Sequence, residues 1–377
     1  MEINDYLHHM VERDASDLFF SVGAPVQIKV EGVLTPLDDD PLGPGRVREL
    51  AYALMNEVRR REFERDLEQN IAVSVPDLGR FRVNVYRQRG DVAMVVRFLK
   101  SRIPTIDELG LPQRLADLVM LPGGLVLVIG PTGSGKSTTL AAMIEQRSRN
   151  VAGHILTIED PIEYVHRHRR SIVDQREVGL DTHSYEAALK NALREAPDVI
   201  LIGEIRERET MRSALAYAET GHLCLSTLHA NNAEQALERI VSFFPQDAHP
   251  RLHLDLSLNL RAVIGQRLLL GVDGRRVPAV EILLNSPYVE ELIRRGEIAG
   301  IREAMVRSAQ EGMQTFDEAL FTLYRSGRIG REEALRHADS HNNLAMRIRL
   351  VDGGRLGELA QEADGLQIED SDGTPGS

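Results

Sequence analysis

A run of five apolar residues, Leu125–Ile129, ends at Gly130-Pro131-Thr132-Gly133-Ser134-Gly135-Lys136-Ser137 and gives way to helical spacing. A strand, a glycine loop and a helix in that order restrict the fold more than any other feature of the chain. Glycines in such a loop remove the side chains that would keep backbone N–H groups away from an anion. The helix that follows aims the positive end of its dipole at the same point. The spacing predicts a loop that cradles the phosphates of a nucleoside triphosphate, with Gly130, Pro131, Thr132, Gly133, Ser134, Gly135, Lys136, Ser137 and Thr138 as binding residues. Lys136 is long enough to reach the β- and γ-phosphates, and the Ser137 hydroxyl suits Mg²⁺. A plain glycine turn is the competing reading, and it leaves the full eight-residue match unexplained.

From Gln113 the chain alternates strand and helix: Leu125–Ile129, 136–149, His154–Ile158, Tyr185–Arg194, Val199–Ile202, Glu209–Glu219 and Leu223–Thr227. That alternation predicts an α/β fold, a parallel sheet covered by helices on both faces. After residue 280 helical spacing dominates to about Leu350. Residues 1–100 read as a smaller α+β unit. A helix is predicted over Met1–Glu12, a strand over Val26–Val30, a charged helical stretch over Arg46–Asn70, and a hairpin from 81–86 and 92–98 about Arg89-Gly90. Ser101–Pro112, with two prolines and a glycine, reads as a linker. The expected organisation is 1–100, a linker at 101–112, a body at 113–350 and a tail at 351–377.

That tail holds seven acids against Arg355 alone and reads as disordered or marginally helical. It carries about half of the net charge of −12, which argues against nucleic acid as a partner. No run of eighteen apolar residues occurs, and Met1–Asp5 is neither basic nor apolar, so neither a membrane span nor a signal peptide is expected. The one cysteine, Cys224, sits in an apolar strand as a small core residue. It excludes internal disulfides and cysteine-based zinc sites and suits a reducing cytoplasm.

Four further clusters can carry chemistry. Glu159, Asp160 and Glu163 lie at the carboxyl end of a strand, where open parallel sheets place ligands. A carboxylate there can orient the attacking water, although a solvated acidic strand exit has the same pattern. Asp198–Glu204 is an apolar strand ending in an acid, the form of a strand that assists Mg²⁺, here through water. Gly203 stands where an aspartate often precedes the glutamate, so Glu204 serves alone. His229, at the carboxyl end of the strand Leu223–Thr227, can sense the γ-phosphate, or be a satisfied structural histidine. Arginines supply the fourth group. Arg194 and Arg206 flank the acid-ending strand, and Arg80 and Arg82 lie on a strand of the first unit. Arg194 is the candidate with a catalytic role. His166-Arg167-His168-Arg169-Arg170 lacks acidic or cysteine co-ligands and reads as a solvated basic loop.

Taken together, the ordered set resembles the secretion-ATPase superfamily, and within it the type IV pilus retraction ATPases. The resemblance spans residues 1–350. The Walker A match is Gly130–Ser137, the aspartate box Thr157–Glu163, the atypical Walker B Asp198–Arg206, and the histidine box Ala218–His222 through Leu228-His229-Ala230. It implies that Glu163 is the catalytic base, and that Glu204 and His229 complete the site. It also implies a PAS-like N-terminal domain, a RecA-like ATPase domain, and a hexameric ring with ATP sites between a subunit's two domains and its neighbour.

Gly312–Asp317, Ala338-Asp339-Ser340 and Arg347–Leu350 resemble the accessory branch of the family. Tyr288–Arg295 replaces the Ala-Ile-Arg-Asn-Leu-Ile-Arg-Glu signature of the primary, PilT-type motors. The implied activity is ATP hydrolysis with Mg²⁺ that powers pilus retraction and twitching motility. Implied partners are a PilT-type ATPase and an inner-membrane platform protein of the PilC kind, which would hold a cytoplasmic ring peripherally at the membrane. A nucleotide-dependent accessory module with little turnover, and a type II secretion or pilus-assembly ATPase, are the alternatives. The latter usually carry a tetracysteine insert and a longer N-terminal region, which one cysteine and about 110 leading residues do not supply.

Overall fold

The computed structural model describes residues 1–30, 32–99 and 102–364. The chain opens with α1 (Ile3–Glu12), β1 (Asp17–Phe20), β2 (Gln27–Val30), β3 (Val33–Pro36), α2 (Arg46–Ala53), α3 (Glu57–Asp66), β4 (Glu68–Val75), β5 (Gly79–Gln88) and β6 (Asp91–Leu99). Its six strands form one antiparallel sheet in the order β3-β2-β1-β6-β5-β4. Alternation along β5 buries Phe81, Val83 and Val85 completely and turns Arg82 and Asn84 outward. Against that face α1 packs Tyr6, Leu7 and Met10, with the Tyr6 ring edge-on to Phe20 at 5.2 Å.

The second sheet follows α4 (Arg114–Val119) and contains β7 (Gly124–Ile129), α5 (Lys136–Asn150), β8 (Gly153–Glu159), β9 (Ser171–Glu177), α6 (Tyr185–Ala192), β10 (Val199–Ile202), α7 (Arg208–Glu219), β11 (Leu223–Leu228), α8 (Ala233–Ser242), α9 (His249–Asn259), β12 (Leu260–Leu270) and β13 (Arg276–Leu284). Strand order is β13-β12-β7-β11-β10-β8-β9, parallel except for β13. Every residue of β7, β10 and β11 is buried, as expected of strands covered on both faces. One hydrophobic core fills each side: Leu127, Ile158, Ile202 and Met211 on one, Val126, Met143, Leu201 and Leu225 on the other. α10 (Pro287–Arg295), α11 (Ile301–Arg307), α12 (Phe316–Arg325), α13 (Arg331–Arg336) and α14 (His341–Asp364) complete the chain.

Several expectations need correction. The stretch Arg46–Asn70 is two helices and the start of a strand. Asn56 caps α3 by accepting from the Arg59 N–H, and Leu67, at a φ of 66°, ends it in the left-handed region. β4 then pairs with β5, a contact that local helical spacing does not reveal. β1, β3, β9 and the β12–β13 hairpin were not anticipated either. Edge strands such as β3, exposed along its whole length, lack the apolar alternation that marks a half-buried strand. The tail, expected to be disordered or marginally helical, stands apart from these corrections: its described part, to Asp364, extends α14, and residues 365–377 lie outside the described residues. Among the described residues no helix is long and apolar enough to cross a membrane.

β7 lies between β11 and β12, and Leu127 at its middle is wholly buried. Leu127→Ala is expected to cost about 3 kcal/mol of stability, read as a lowered midpoint of urea unfolding. A midpoint equal to that of the parent would contradict this packing.

Candidate functional site

Four strands end side by side at one edge of the second sheet. Leu228 is in register with Ile129, and Ile202 with both Ser226 and Ile158. Their next residues are therefore Gly130, Glu159, Gly203 and His229, brought from a hundred positions of sequence to one place. Between them lies a cleft of about 390 Å³ lined by Thr132, Gly133, Lys136, Ser137, Glu159, Asp160, Glu163, Tyr164, Glu204, Arg206 and His229. Another cleft of similar size, between α11, α12 and α14, has no glycine loop and no strand ends beside it.

The loop is held from behind by β12. A Cβ on Gly130, at a φ of 152°, would fall 2.4 Å from the Gln266 carbonyl oxygen and 2.5 Å from Ser134 Oγ. The Gln266 side chain, almost fully buried, accepts from Thr139 Oγ1 at 2.6 Å. Its amide nitrogen lies against Gly135, which begins α5 in the left-handed region without a side-chain cap. The first N–H groups of α5 accordingly have no intrahelical partner. Lys136 donates to the carbonyls of Gly130 and Pro131, each at 2.9 Å, and burial pulls its pKa down. Thr138 Oγ1 pairs with Tyr164 Oη at 3.0 Å. Ser137 is exposed at the helix start, and Ser134 Oγ is buried without a partner.

Glu204 joins a histidine and an arginine. Its Oε1 is 3.1 Å from His229 Nε2, and its Oε2 accepts from Arg206 Nε at 2.8 Å. Burial and the nearby Lys136 ammonium pull the His229 pKa down, against the pull of Glu204. Gly203 is a steric requirement as well as a departure from the usual aspartate. A Cβ there would approach Tyr185 Oη to 2.8 Å and Glu159 Cα to 3.2 Å. Glu159 accepts from Thr157 Oγ1 and Gln175 Nε2, and burial pushes its pKa up to about 7. Glu163 lies half-buried in the same cleft.

Arg194 is the sequence candidate that the fold does not bring here. It is exposed in a short turn before β10, at the amino end of a strand whose carboxyl end bears Glu204. Arg206 occupies the cleft instead. Sequence reasoning also missed Arg97, an exposed residue of β6. It bonds Asp17 at 2.8 Å and is raised in pKa by that contact first and by Glu163 as well, which brings it near the cleft. Arg80 and Arg82 lie instead near Glu177, whose pKa burial raises against the pull of the Ile162 N–H and of these two arginines. His166 turns inward, and burial pushes it down to about 4, while Arg167–Arg170 are exposed as expected of a solvated loop. Gln266 carried one readable signal, a polar Gln266-Arg267 pair interrupting the apolar residues 262–270.

A phosphate-type glycine loop between β7 and α5, on a largely parallel sheet with acids and a histidine at the adjoining strand ends, defines a P-loop nucleotide-binding fold. The profile of the Type II/IV secretion system protein family matches residues 1–319, and the chain belongs to that family. Type IV pilus ATPase PilU of Pseudomonas aeruginosa is 51% identical over 376 residues, 100% of this chain and 98% of PilU. The type IV pilus retraction ATPase PilT of the same organism is 42% identical over 91% of this chain and 100% of its own. A crystal structure of the pilus retraction motor PilT with bound ADP superposes with a TM-score of 0.86 at 41% identity, covering 92% of this chain and 99% of that one.

Two outcomes are expected of this geometry. Gly130→Ala places a methyl group against backbone on one side and is expected to abolish binding of a fluorescent ADP analogue; unaltered affinity would contradict the loop's construction. Glu159 keeps its proton up to about pH 7 when folded and to about 4.5 when unfolded. The native state thus binds more protons in that window, and stability falls as pH rises through it. Glu159→Gln is expected to flatten the decline in thermal midpoint between pH 5 and pH 8 (about the window set by the two values).

Proposed function

We propose that this chain is an ATP-hydrolysing motor of the type IV pilus machinery that powers retraction, working as the PilU-type partner of a PilT motor. The observation that carries the reading is the convergence of Lys136, Glu163 and the Glu204–His229 pair on one cleft beside a phosphate loop. Loop N–H groups and Lys136 bind the nucleotide's phosphates. Glu163 orients the attacking water and takes up its proton as the bond to the γ-phosphorus forms and the bridging oxygen leaves with ADP. His229, tied to Glu204, reports whether the γ-phosphate is present.

Mg²⁺, when bound, supplies neutralisation of the β- and γ-phosphate oxygens. Ser137 Oγ, with Glu204 through a water, offers the hard oxygen donors it prefers. Among the described residues no group of three His, Cys, Asp or Glu forms a cage, which accords with an ion that shares its ligands with water and phosphates. An arginine arriving across a domain boundary balances charge on the transferred phosphoryl group, and Arg97 is the better supported candidate than Arg194.

In this reading residues 1–100 are a PAS-like domain, 101–112 a linker and 113–350 a RecA-like ATPase domain, followed by the tail. Six subunits form a ring whose closing on ATP and opening after release turns a PilC-like platform protein. The ring is cytoplasmic and meets the inner membrane through that platform.

One observation favours a second reading, an accessory module with little turnover of its own. In α10, Val289, Leu292 and Ile293 are buried while Glu291 holds Arg294 and Arg295, so the stretch that replaces the PilT-type signature is engaged within its own chain. Hydrolysis measured with and without a PilT partner separates the two, since robust turnover alone removes the second. Glu163→Gln is expected to lower kcat by about 10²–10⁴ while ADP still binds. Turnover equal to the parent's would remove Glu163 from the reaction. Lys136→Ala is expected to abolish nucleotide binding as well.

A further inference from the structure

The backbone just after His229 is held by two side chains of the β12–β13 hairpin, neither of them in the motifs above. Arg267 Nη2 donates to the Asn231 carbonyl at 3.0 Å. Glu281 Oε2 accepts from the Ala233 N–H at 2.7 Å. Cross-strand register pairs Gly265 with Glu281 and Arg267 with Ala279, so both polar side chains stand on one face of the hairpin. Asn232, between the two held groups, caps α8 by accepting from the Gln235 N–H at 2.9 Å. Three consecutive residues are thus fixed at two backbone points and one cap.

Neither holding group is free to drift. Arg267 Nη1 donates to the His337 carbonyl at 2.6 Å, Nη2 meets Asp339 at 2.7 Å, and the guanidinium lies 3.8 Å from the centre of the Phe316 ring. Asp339 and Ser340 in turn donate their N–H groups to Asp317. Glu281 is only 4% exposed and occupies the space over Gly265, where a Cβ would come within 3.1 Å of it. Burial pushes its pKa up to about 8, so near neutral pH it is mostly the protonated acid. A buried polar group of this kind still costs more than a well-packed apolar residue unless its hydrogen bonds are needed, and the Ala233 N–H bond is the one it makes to this loop. The segment it orients begins two residues after the histidine that faces Glu204.

We propose that Arg267 and Glu281 are positioning residues for ATP hydrolysis: they clamp Asn231–Ala233 and thereby keep His229 in register with Glu204 and the phosphate loop. The proposal rests on the hydrolytic reading of the cleft. Neither side chain is among those that line the cleft; both act through the loop. Arg267 also joins that loop to the turn before α14, so the clamp is anchored outside the nucleotide cleft.

The test uses the full chain with Arg267→Ala, Glu281→Leu and Glu281→Gln, each alone and in a His229→Ala background. Arg267→Ala and Glu281→Leu are expected to lower kcat by about tenfold or more while ADP affinity stays within about threefold. Glu281→Gln keeps a carbonyl acceptor for the Ala233 N–H and is expected to recover most of the rate. In the His229→Ala background neither damaging change is expected to reduce kcat further, because the residue they act through is gone. Additive losses in that background, or ADP affinity falling in step with kcat, would overturn the proposal.

Hydrogen exchange gives a readout independent of turnover. With a non-hydrolysable ATP analogue bound, amides in residues 229–233 are expected to exchange faster in Arg267→Ala and Glu281→Leu than in the parent. Equal exchange overturns the clamp. A parent chain that binds the analogue but never hydrolyses ATP defeats the motor reading, and the exchange measurement still decides the clamp.

Discussion

The in-register parallel ladder of β8, β10, β11 and β7 is the constraint from which the rest of the molecule follows. Parallel strands hydrogen-bonded without slippage finish on a common edge, so whatever residue follows each one is delivered to the same line. A slip of one residue in any pair would turn a whole set of apolar side chains out of its core. The burial of β7, β10 and β11 on both faces therefore fixes the chemical edge as firmly as it fixes the cores. Helices on both sides of the sheet supply that burial, and α5 in addition supplies the anion-binding end that faces the line.

The edge concentrates charge in a partly dry cleft, and its groups are arranged in compensating sets. Glu204 stands between His229 and Arg206, with the Lys136 ammonium near enough to respond to it. Glu159, which has only neutral donors, responds to burial by keeping its proton to near neutrality. Burial works against the charged form of each of these groups, lowering Lys136 and His229 and raising Glu159. The β12–β13 hairpin completes the scaffold from the far side. Its residue Gln266 supports the phosphate loop on one face, and its neighbour Arg267 reaches the histidine loop from the other. A two-residue alternation along one strand thus serves two loops at once.

Much of the cleft could be read from local pattern because its parts are local. The glycine loop, the Gly203-Glu204 pair after Ile202 and the histidine after Leu228 each sit where a strand-like run stops, and such stops are visible in a single window of sequence. The aspartate-box acids fall under the same rule, with Glu159 at the end of β8. Arg194 was misleading for the same reason. Its closeness to the β10 strand in sequence is real, but it lies at the strand's other end. The strand that begins at Glu68 was hidden because its partner, β5, lies across a turn and its own apolar pattern is diluted by polar residues.

Residue types and spacing were sufficient to point to a phosphate-binding loop on an α/β chain, since a glycine loop after a buried strand leaves backbone geometry almost no other use; the secretion-ATPase family came from the resemblance of the whole ordered motif set. They also located the acids and the histidine at strand ends, because hydrophobic runs mark where strands finish. Which arginine of the first unit comes within electrostatic reach of Glu163, why residue 203 must lack a side chain, and what holds the histidine loop all depend on the approach of segments far apart in the chain. Arg97, Tyr185, Gln266, Arg267 and Glu281 acquire meaning only when strand register and helix packing bring them against their partners. Long-range packing sets those distances, and no local window of sequence contains them.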